Sequence, residues 1–142
     1  MNVFLPESIS LSQSTQQSTE KKATILIVED EDVLIELLRT VLESQGFDVL
    51  VATDGHEAVK IYEERQEKIG LVLTDMGLPA LGGWEVLAQV RAINPKAKVI
   101  CASGFMDSSV RQEMIDAGAV EFIQKPYVYE KLIKLFHQIL DS

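Results

Sequence analysis

The chain has 142 residues, 46% of them hydrophobic, and sets 22 Asp and Glu against 13 Lys and Arg for a net charge of -9 at pH 7. That balance argues against a phosphate-surfaced partner, because nucleic acids and anionic membranes are gripped by clustered Lys and Arg. Cys101 is the lone cysteine, so no internal disulfide forms, and no segment approaches the roughly 20 apolar residues that cross a bilayer. One domain in a reducing cytoplasm is expected.

Residues 1–22 carry only Glu7, Glu20, Lys21 and Lys22, which cancel, so the acid excess belongs to residues 23–142. Ser, Thr and Gln dominate from Glu7 to Glu20, a composition that cannot bury enough apolar area to offset chain ordering. Residues 1–22 therefore read as a flexible linker ahead of a domain at 23–142.

From Ala23 onward, short apolar runs alternate with segments of helical period. Thr24 to Val28, Val49 to Ala52, Leu71 to Thr74, Lys98 to Ala102 and Val120 to Ile123 are rich in Ile, Val and Leu with little polar alternation. Strands buried on both faces of a parallel sheet look like this. Between them, Val33, Leu34, Leu37, Leu38, Val41 and Leu42 form an apolar stripe that Gly46 can stop. Asp54 can cap a helix carrying Ala58, Ile61 and Tyr62, with Glu57 completing a capping box. Trp84, Leu87 and Val90 mark a third helix, Val110 and Met114 a fourth, and Leu132, Leu135, Phe136 and Ile139 a fifth. Five βα repeats imply a doubly wound α/β sheet with right-handed crossovers, and a flavodoxin-like order 2-1-3-4-5 puts the binding crevice beyond strands 1 and 3.

At that crevice, strand 1 runs into Glu29-Asp30-Glu31-Asp32 and strand 3 ends at Asp75. Taken singly, the acidic run could be a solvated helix start and Asp75 a turn cap before Gly77 and Pro79. The topology instead brings Asp30 and Asp75 side by side with Glu29 close. Carboxylates about 4 Å apart repel by roughly 4 kcal/mol at an effective dielectric near 20, so something positive must enter. Hard oxygen ligands suit Mg²⁺. Ser103 ends strand 4 and Lys125 follows strand 5, adding a hydroxyl and an ammonium to the same rim. A carboxylate nucleophile, a divalent cation, an ammonium and a hydroxyl are the parts needed to accept a phosphoryl group, and the product would be an aspartyl phosphate.

Five segments, in order, resemble the receiver domain of bacterial two-component response regulators. They are Ile25 to Glu31, Asp54 to Ala58, Leu73 to Pro79, Val99 to Gly104 and Phe122 to Tyr127. The resemblance implies that Asp75 accepts the phosphoryl group, that Asp30 binds Mg²⁺ directly with Glu29 acting mainly through water, and that Gly77 lends the metal its backbone carbonyl. It further implies that Ser103 and Lys125 contact the phosphoryl oxygens, that the Lys125-Pro126 peptide is cis, and that Phe122 is the switch aromatic, which turns inward when Ser103 moves toward the phosphate. Glu29 stands where Asp is commoner, Ser103 where Thr is frequent, and Gly82-Gly83 leaves its helix start without a capping side chain.

The donor implied is a sensor histidine kinase or a histidine phosphotransfer domain, and the output a changed strand 4, helix 4 and strand 5 surface. His56 and His137 lack the kinase's phosphoacceptor context and no glycine-rich ATP loop is present, so the chain is expected to be a switch rather than a turnover enzyme. Asn2 to Pro6 looks like the closing strand of a kinase ATP-binding domain, which suggests a hybrid sensor kinase as parent. Two alternatives stay open. A metal-dependent phosphatase would use Asp30 and Asp32 as its carboxylate pair, although Leu34 sits where that class prefers a small or hydroxyl residue. A flavin carrier would need a phosphate loop where four acids stand.

Overall fold

The computed structural model describes residues 23–78, 81–105 and 107–141. The proposed linker at 1–22, the Asn2 to Pro6 segment and Pro79 lie outside the described residues. Strands and helices alternate: β1 (Thr24–Val28), α1 (Asp32–Ser44), β2 (Asp48–Ala52), α2 (Gly55–Arg65), β3 (Ile69–Asp75), α3 (Gly83–Ile93), β4 (Val99–Ser103), α4 (Ser108–Asp116), β5 (Glu121–Gln124) and α5 (Tyr129–Leu140). All four strand pairings are parallel. The order β2-β1-β3-β4-β5 is the flavodoxin-like one expected.

Side chains of successive strand residues point to opposite faces, so each strand feeds two apolar layers. Ile25, Ile27, Leu71, Leu73, Ile100 and Ala102 pack with Leu38 and Leu42 of α1 and Leu132 and Phe136 of α5. Leu26, Val28, Val72, Val99 and Cys101 pack with Ala58 and Tyr62 of α2, with Val86, Leu87 and Val90 of α3, and with Met114 of α4. Helices thus cover both faces, which explains why the strands read as continuous apolar runs.

Helix ends follow the sequence where it is explicit. The Asp54 carboxylate accepts from the Glu57 N–H at 2.8 Å, and Glu57 accepts from the Thr53 N–H at 2.8 Å, one residue earlier than a standard capping box. Gly46, with φ 91, stands just past the α1 C-cap Gln45 in the left-handed region that favours glycine. Gly82 caps α3 without a side-chain hydrogen bond.

Two apolar stripes differ from expectation. On α1 the sheet-facing row is Ile35, Leu38 and Leu42, while Val33 is 76% and Leu37 48% exposed. On α3 the row is Gly83, Val86, Leu87 and Val90, and Trp84 is 42% exposed. A strict three-residue spacing drifts about 60° per step around a helix of 3.6 residues per turn, so Trp84 and Val90 cannot share one narrow face.

Phe136 has no exposure and stacks edge-on against Phe47 with ring centroids 6.1 Å apart. Phe136→Ala should therefore lower the urea-derived unfolding free energy by about 3–5 kcal/mol, and a loss below about 1 kcal/mol would mean that the α5 layer is not load-sharing in the core.

Candidate functional site

The strand order reverses between β1 and β3, and the loops leaving their carboxyl ends diverge there. Val28 pairs with Thr74 in the last rung, so Glu29 and Asp75 emerge next to one another. The Glu29 N–H still donates to the Ala52 carbonyl at 3.0 Å, which holds that residue to the sheet before α1 begins. On the other side Asp75 pairs with Ala102, and the Lys125 N–H donates to the Ser103 carbonyl at 2.8 Å, tying the end of β5 to the end of β4.

This backbone brings one carboxylate oxygen each from Glu29, Asp30 and Asp75 within 4.8 Å of one another. The three differ in access: Glu29 is buried, Asp75 half-buried and Asp30 exposed. Lys125 enters between two of them, its Nζ 2.9 Å from Glu29 Oε1 and 3.4 Å from Asp75 Oδ1. Glu29 Oε2 accepts from the N–H groups of Asp30 at 3.2 Å and Glu31 at 3.3 Å.

Burial lifts the Glu29 carboxyl above its usual range and the Asp75 charge adds to that, while Lys125 and the Glu31 N–H pull it down without cancelling the rise. Burial acts on Lys125 to lower it, but the hydrogen bond and attraction of Glu29, with those of Asp75, outweigh this and hold the ammonium above its usual value. Burial, then the Glu29 and Asp75 charges, also push the Tyr127 phenol upward. Burial pushes the Cys101 thiol up to about 12, so it stays protonated and takes no part as a nucleophile.

Three carboxylates against one ammonium leave excess negative charge on a rim of oxygen donors only, which is the donor chemistry of Mg²⁺. Gly77 lies beside it: a Cβ there would stand 3.7 Å from Asp75 Oδ2. Gly83 fits closely too, since a Cβ would fall 2.8 Å from the Asp75 carbonyl oxygen and 2.6 Å from Met76 Sδ. The first residue of α3 thus presses on the end of β3, a reason for glycine that the missing cap had obscured.

The other expected residues are partly assembled. The Ser103 hydroxyl, at the end of β4, accepts from the Phe105 N–H at 3.2 Å. Phe122 is 3% exposed and belongs to the layer containing Val99, Cys101 and Met114. The Lys125-Pro126 peptide is cis, as expected. Asp32 opens α1, exposed, and among the described residues the acidic group includes Asp30 but not Asp32. The direct Glu29–Lys125 bond and the proximity of Tyr127 were not anticipated. The sequence signals for Tyr127 are its place two residues past Lys125 and its position at the end of the segment Phe122 to Tyr127.

Comparison with known proteins agrees with this geometry. Residues 25–137 match the model of the response regulator receiver domain. A cyclic di-GMP phosphodiesterase of Thermotoga maritima is 34% identical over 117 residues, 82% of this chain but only 31% of that protein. The chemotaxis protein CheY of the same organism is 30% identical over 116 residues, 81% of this chain and 95% of that one. The receiver domain of a sensor histidine kinase from Pseudomonas aeruginosa, solved with a magnesium ion coordinated in its active site cleft, is 25% identical with a TM-score of 0.76, covering 84% of this chain and 98% of that one.

The chain belongs to the response regulator receiver family. It is a phosphoryl-accepting signalling domain of the two-component type, and the phosphatase reading is not favoured.

Lys125 is the cation that makes a buried Glu29 tolerable, so Lys125→Met should destabilise the metal-free protein by about 3–5 kcal/mol at pH 7. The deficit should narrow as pH falls, because the uncompensated Glu29, already held above the usual carboxylate range with its partner present, can escape by protonation. Urea unfolding in EDTA across the acid range checks this, and a deficit that stays constant with pH would contradict it. In the wild type the sign for Lys125 is the reverse of a normal acid: its contribution is whole below 10.5 and is lost as pH climbs through its raised value.

Proposed function

We propose that Asp75 is the phosphoacceptor and that Glu29, Asp30, Gly77, Ser103 and Lys125 complete its site. The observation that carries this is the placement of Asp75 at the switch point, within reach of Lys125 and of two further carboxylates. In the transfer, an Asp75 oxygen attacks the phosphorus of a donor phosphohistidine, and a P–O bond forms as the P–N bond breaks. The leaving imidazole keeps the electron pair and takes up a proton. Lys125 neutralises phosphoryl oxygens, and the Ser103 hydroxyl, released from the Phe105 N–H, donates to another. Water later attacks phosphorus, the P–O bond to Asp75 breaks as the new one forms, and inorganic phosphate leaves while Asp75 returns to its carboxylate.

Asp30 and Asp75 are the residues for Mg²⁺, with the Gly77 carbonyl as a third oxygen and Glu29 adding charge. Bound there, the ion supplies positive charge that offsets carboxylate repulsion and shields the phosphoryl oxygens. The switch runs through Ser103 to Phe122 and the β4, α4 and β5 surface, where Arg111 of α4 pairs with Glu121 of β5 at 2.7 Å.

Residues 23–142 form the receiver unit and 1–22 its flexible linker in this reading. The setting is cytoplasmic, the donor a sensor histidine kinase or histidine phosphotransfer domain, and no nucleic acid or membrane is contacted directly. None of the described helices is long and apolar enough to cross a membrane. The chain is not a turnover enzyme on its own beyond phosphorylating and dephosphorylating itself. A hybrid kinase parent rests on Asn2 to Pro6 and on the kinase-borne relative, and a kinase ATP-binding segment encoded before Asn2 would support it.

Beryllofluoride with Mg²⁺ should bind the wild type and raise its melting temperature, while Asp75→Asn should bind none. Equal binding by Asp75→Asn would overturn the assignment. Mg²⁺ alone at about 100 times its Kd should stabilise the fold by about 2.7 kcal/mol. Asp30→Asn should relieve repulsion in the metal-free state and cut that response, and an unchanged Mg²⁺ response would remove Asp30 from the site.

A further inference from the structure

Helix α4 is held at its two ends by different means. Met114 is its buried residue, with Val110 half-buried one turn earlier, so apolar contact fixes this helix to the sheet only lightly. Its carboxyl end is pinned. Gly118, with φ 111, turns so close to Arg91 of α3 that a Cβ there would stand 2.7 Å from Arg91 Nε, and Arg91 is itself tied to the Ala97 carbonyl at 3.3 Å. At the amino end the Asp107 carboxylate accepts from the Val110 N–H at 2.9 Å, a bond internal to the helix start. The link to the sheet there is Arg111, whose Nη2 meets Glu121 Oε1 at 2.7 Å, the one ion pair between α4 and a strand among the described residues. The same Glu121 oxygen accepts from the Phe122 N–H at 2.9 Å. The carboxylate is thus anchored to β5 by its own strand, and a swing of α4 about its pinned end must break the pair.

We propose that the Arg111–Glu121 pair is a latch that holds the amino end of α4 against β5 and opposes the rearrangement that accompanies phosphorylation. The proposal rests on the reading of Asp75 as phosphoacceptor and of Ser103 as a phosphoryl contact. Ser103 accepts from the Phe105 N–H, two residues before the Asp107 cap, so its release loosens the loop that leads into α4 and leaves the latch as the polar tie of that end to the sheet. A contact made in only one of two conformations shifts their balance, and the apparent affinity for a phosphoryl ligand falls with the fraction of chains held in the other. Arg111 and Glu121 are 46% and 27% exposed, which makes the pair a weak bias of about two- to fivefold.

The test measures beryllofluoride affinity of the full chain at saturating Mg²⁺. Arg111→Gln and Glu121→Gln, the second of which keeps an acceptor for the Phe122 N–H, should each bind beryllofluoride about threefold more tightly than wild type. Bulk charge alone would move the two in opposite directions, because losing a cation disfavours an anionic ligand and losing an anion favours it. The double variant should gain no more than either single one, since both remove the same interaction. At about 1 M NaCl the wild type should approach the variants, because salt screens an exposed pair. The latch is overturned if either variant binds like wild type or more weakly, if the gains add in the double variant, or if the gap survives in high salt. Failure of the underlying reading looks different: wild type would bind no beryllofluoride, or Asp75→Asn would bind it equally.

Discussion

A buried carboxylate at the edge of an apolar sheet is tolerated only if a positive charge reaches it, and here that charge is Lys125. The bond from its Nζ to Glu29, with the longer contact to Asp75, joins the end of β5 to the ends of β1 and β3. Charge balance and topology are therefore one constraint. The parallel sheet puts three acids on one rim, the ammonium offsets one of them, and the rest create the demand for a divalent cation. An arrangement of this kind is unfavourable when empty and is relieved by a divalent cation.

The fold serves that rim through close backbone fits. Gly83 lets α3 start against the end of β3, and the hydrogen bond between the Lys125 N–H and the Ser103 carbonyl aligns β5 with β4. On either face, apolar layers anchored by Phe136 and by Tyr62 leave the strands little freedom to shift relative to one another. Carboxylates on such strand ends are held in register without needing side-chain contacts of their own, which allows the exposed Asp30 to stay available.

Much of this was legible in the chain. Strands buried on both faces carry a strong apolar signal, and their alternation with helices fixes the crossover hand and hence the switch point. The order of the strands brings Glu29, Asp30, Asp75, Ser103 and Lys125, at or just past four strand ends, to one edge of the sheet. Helix faces were less legible. Val33, Leu37 and Trp84 are apolar but exposed, and residue type alone does not reveal which side of an amphipathic segment meets the sheet. The Glu29–Lys125 bond was hidden for a different reason: a contact spanning 96 residues depends on the length of two side chains and on strand register, which composition and spacing do not encode. The demand for glycine at position 83 likewise arises only when α3 meets β3.

The central claim is that Asp75 carries the phosphoryl group as an acyl phosphate. Borohydride reduces an acyl phosphate to the alcohol, converting a phosphorylated aspartate to homoserine, and does not reduce phosphoserine or phosphohistidine in this way. The full chain, phosphorylated by a phosphohistidine donor or by acetyl phosphate with Mg²⁺ and then reduced, should yield homoserine at position 75 in the mass spectrum of its peptides. Homoserine at Asp30 or Asp32, or label that resists reduction at Ser103 or a histidine, would contradict the account.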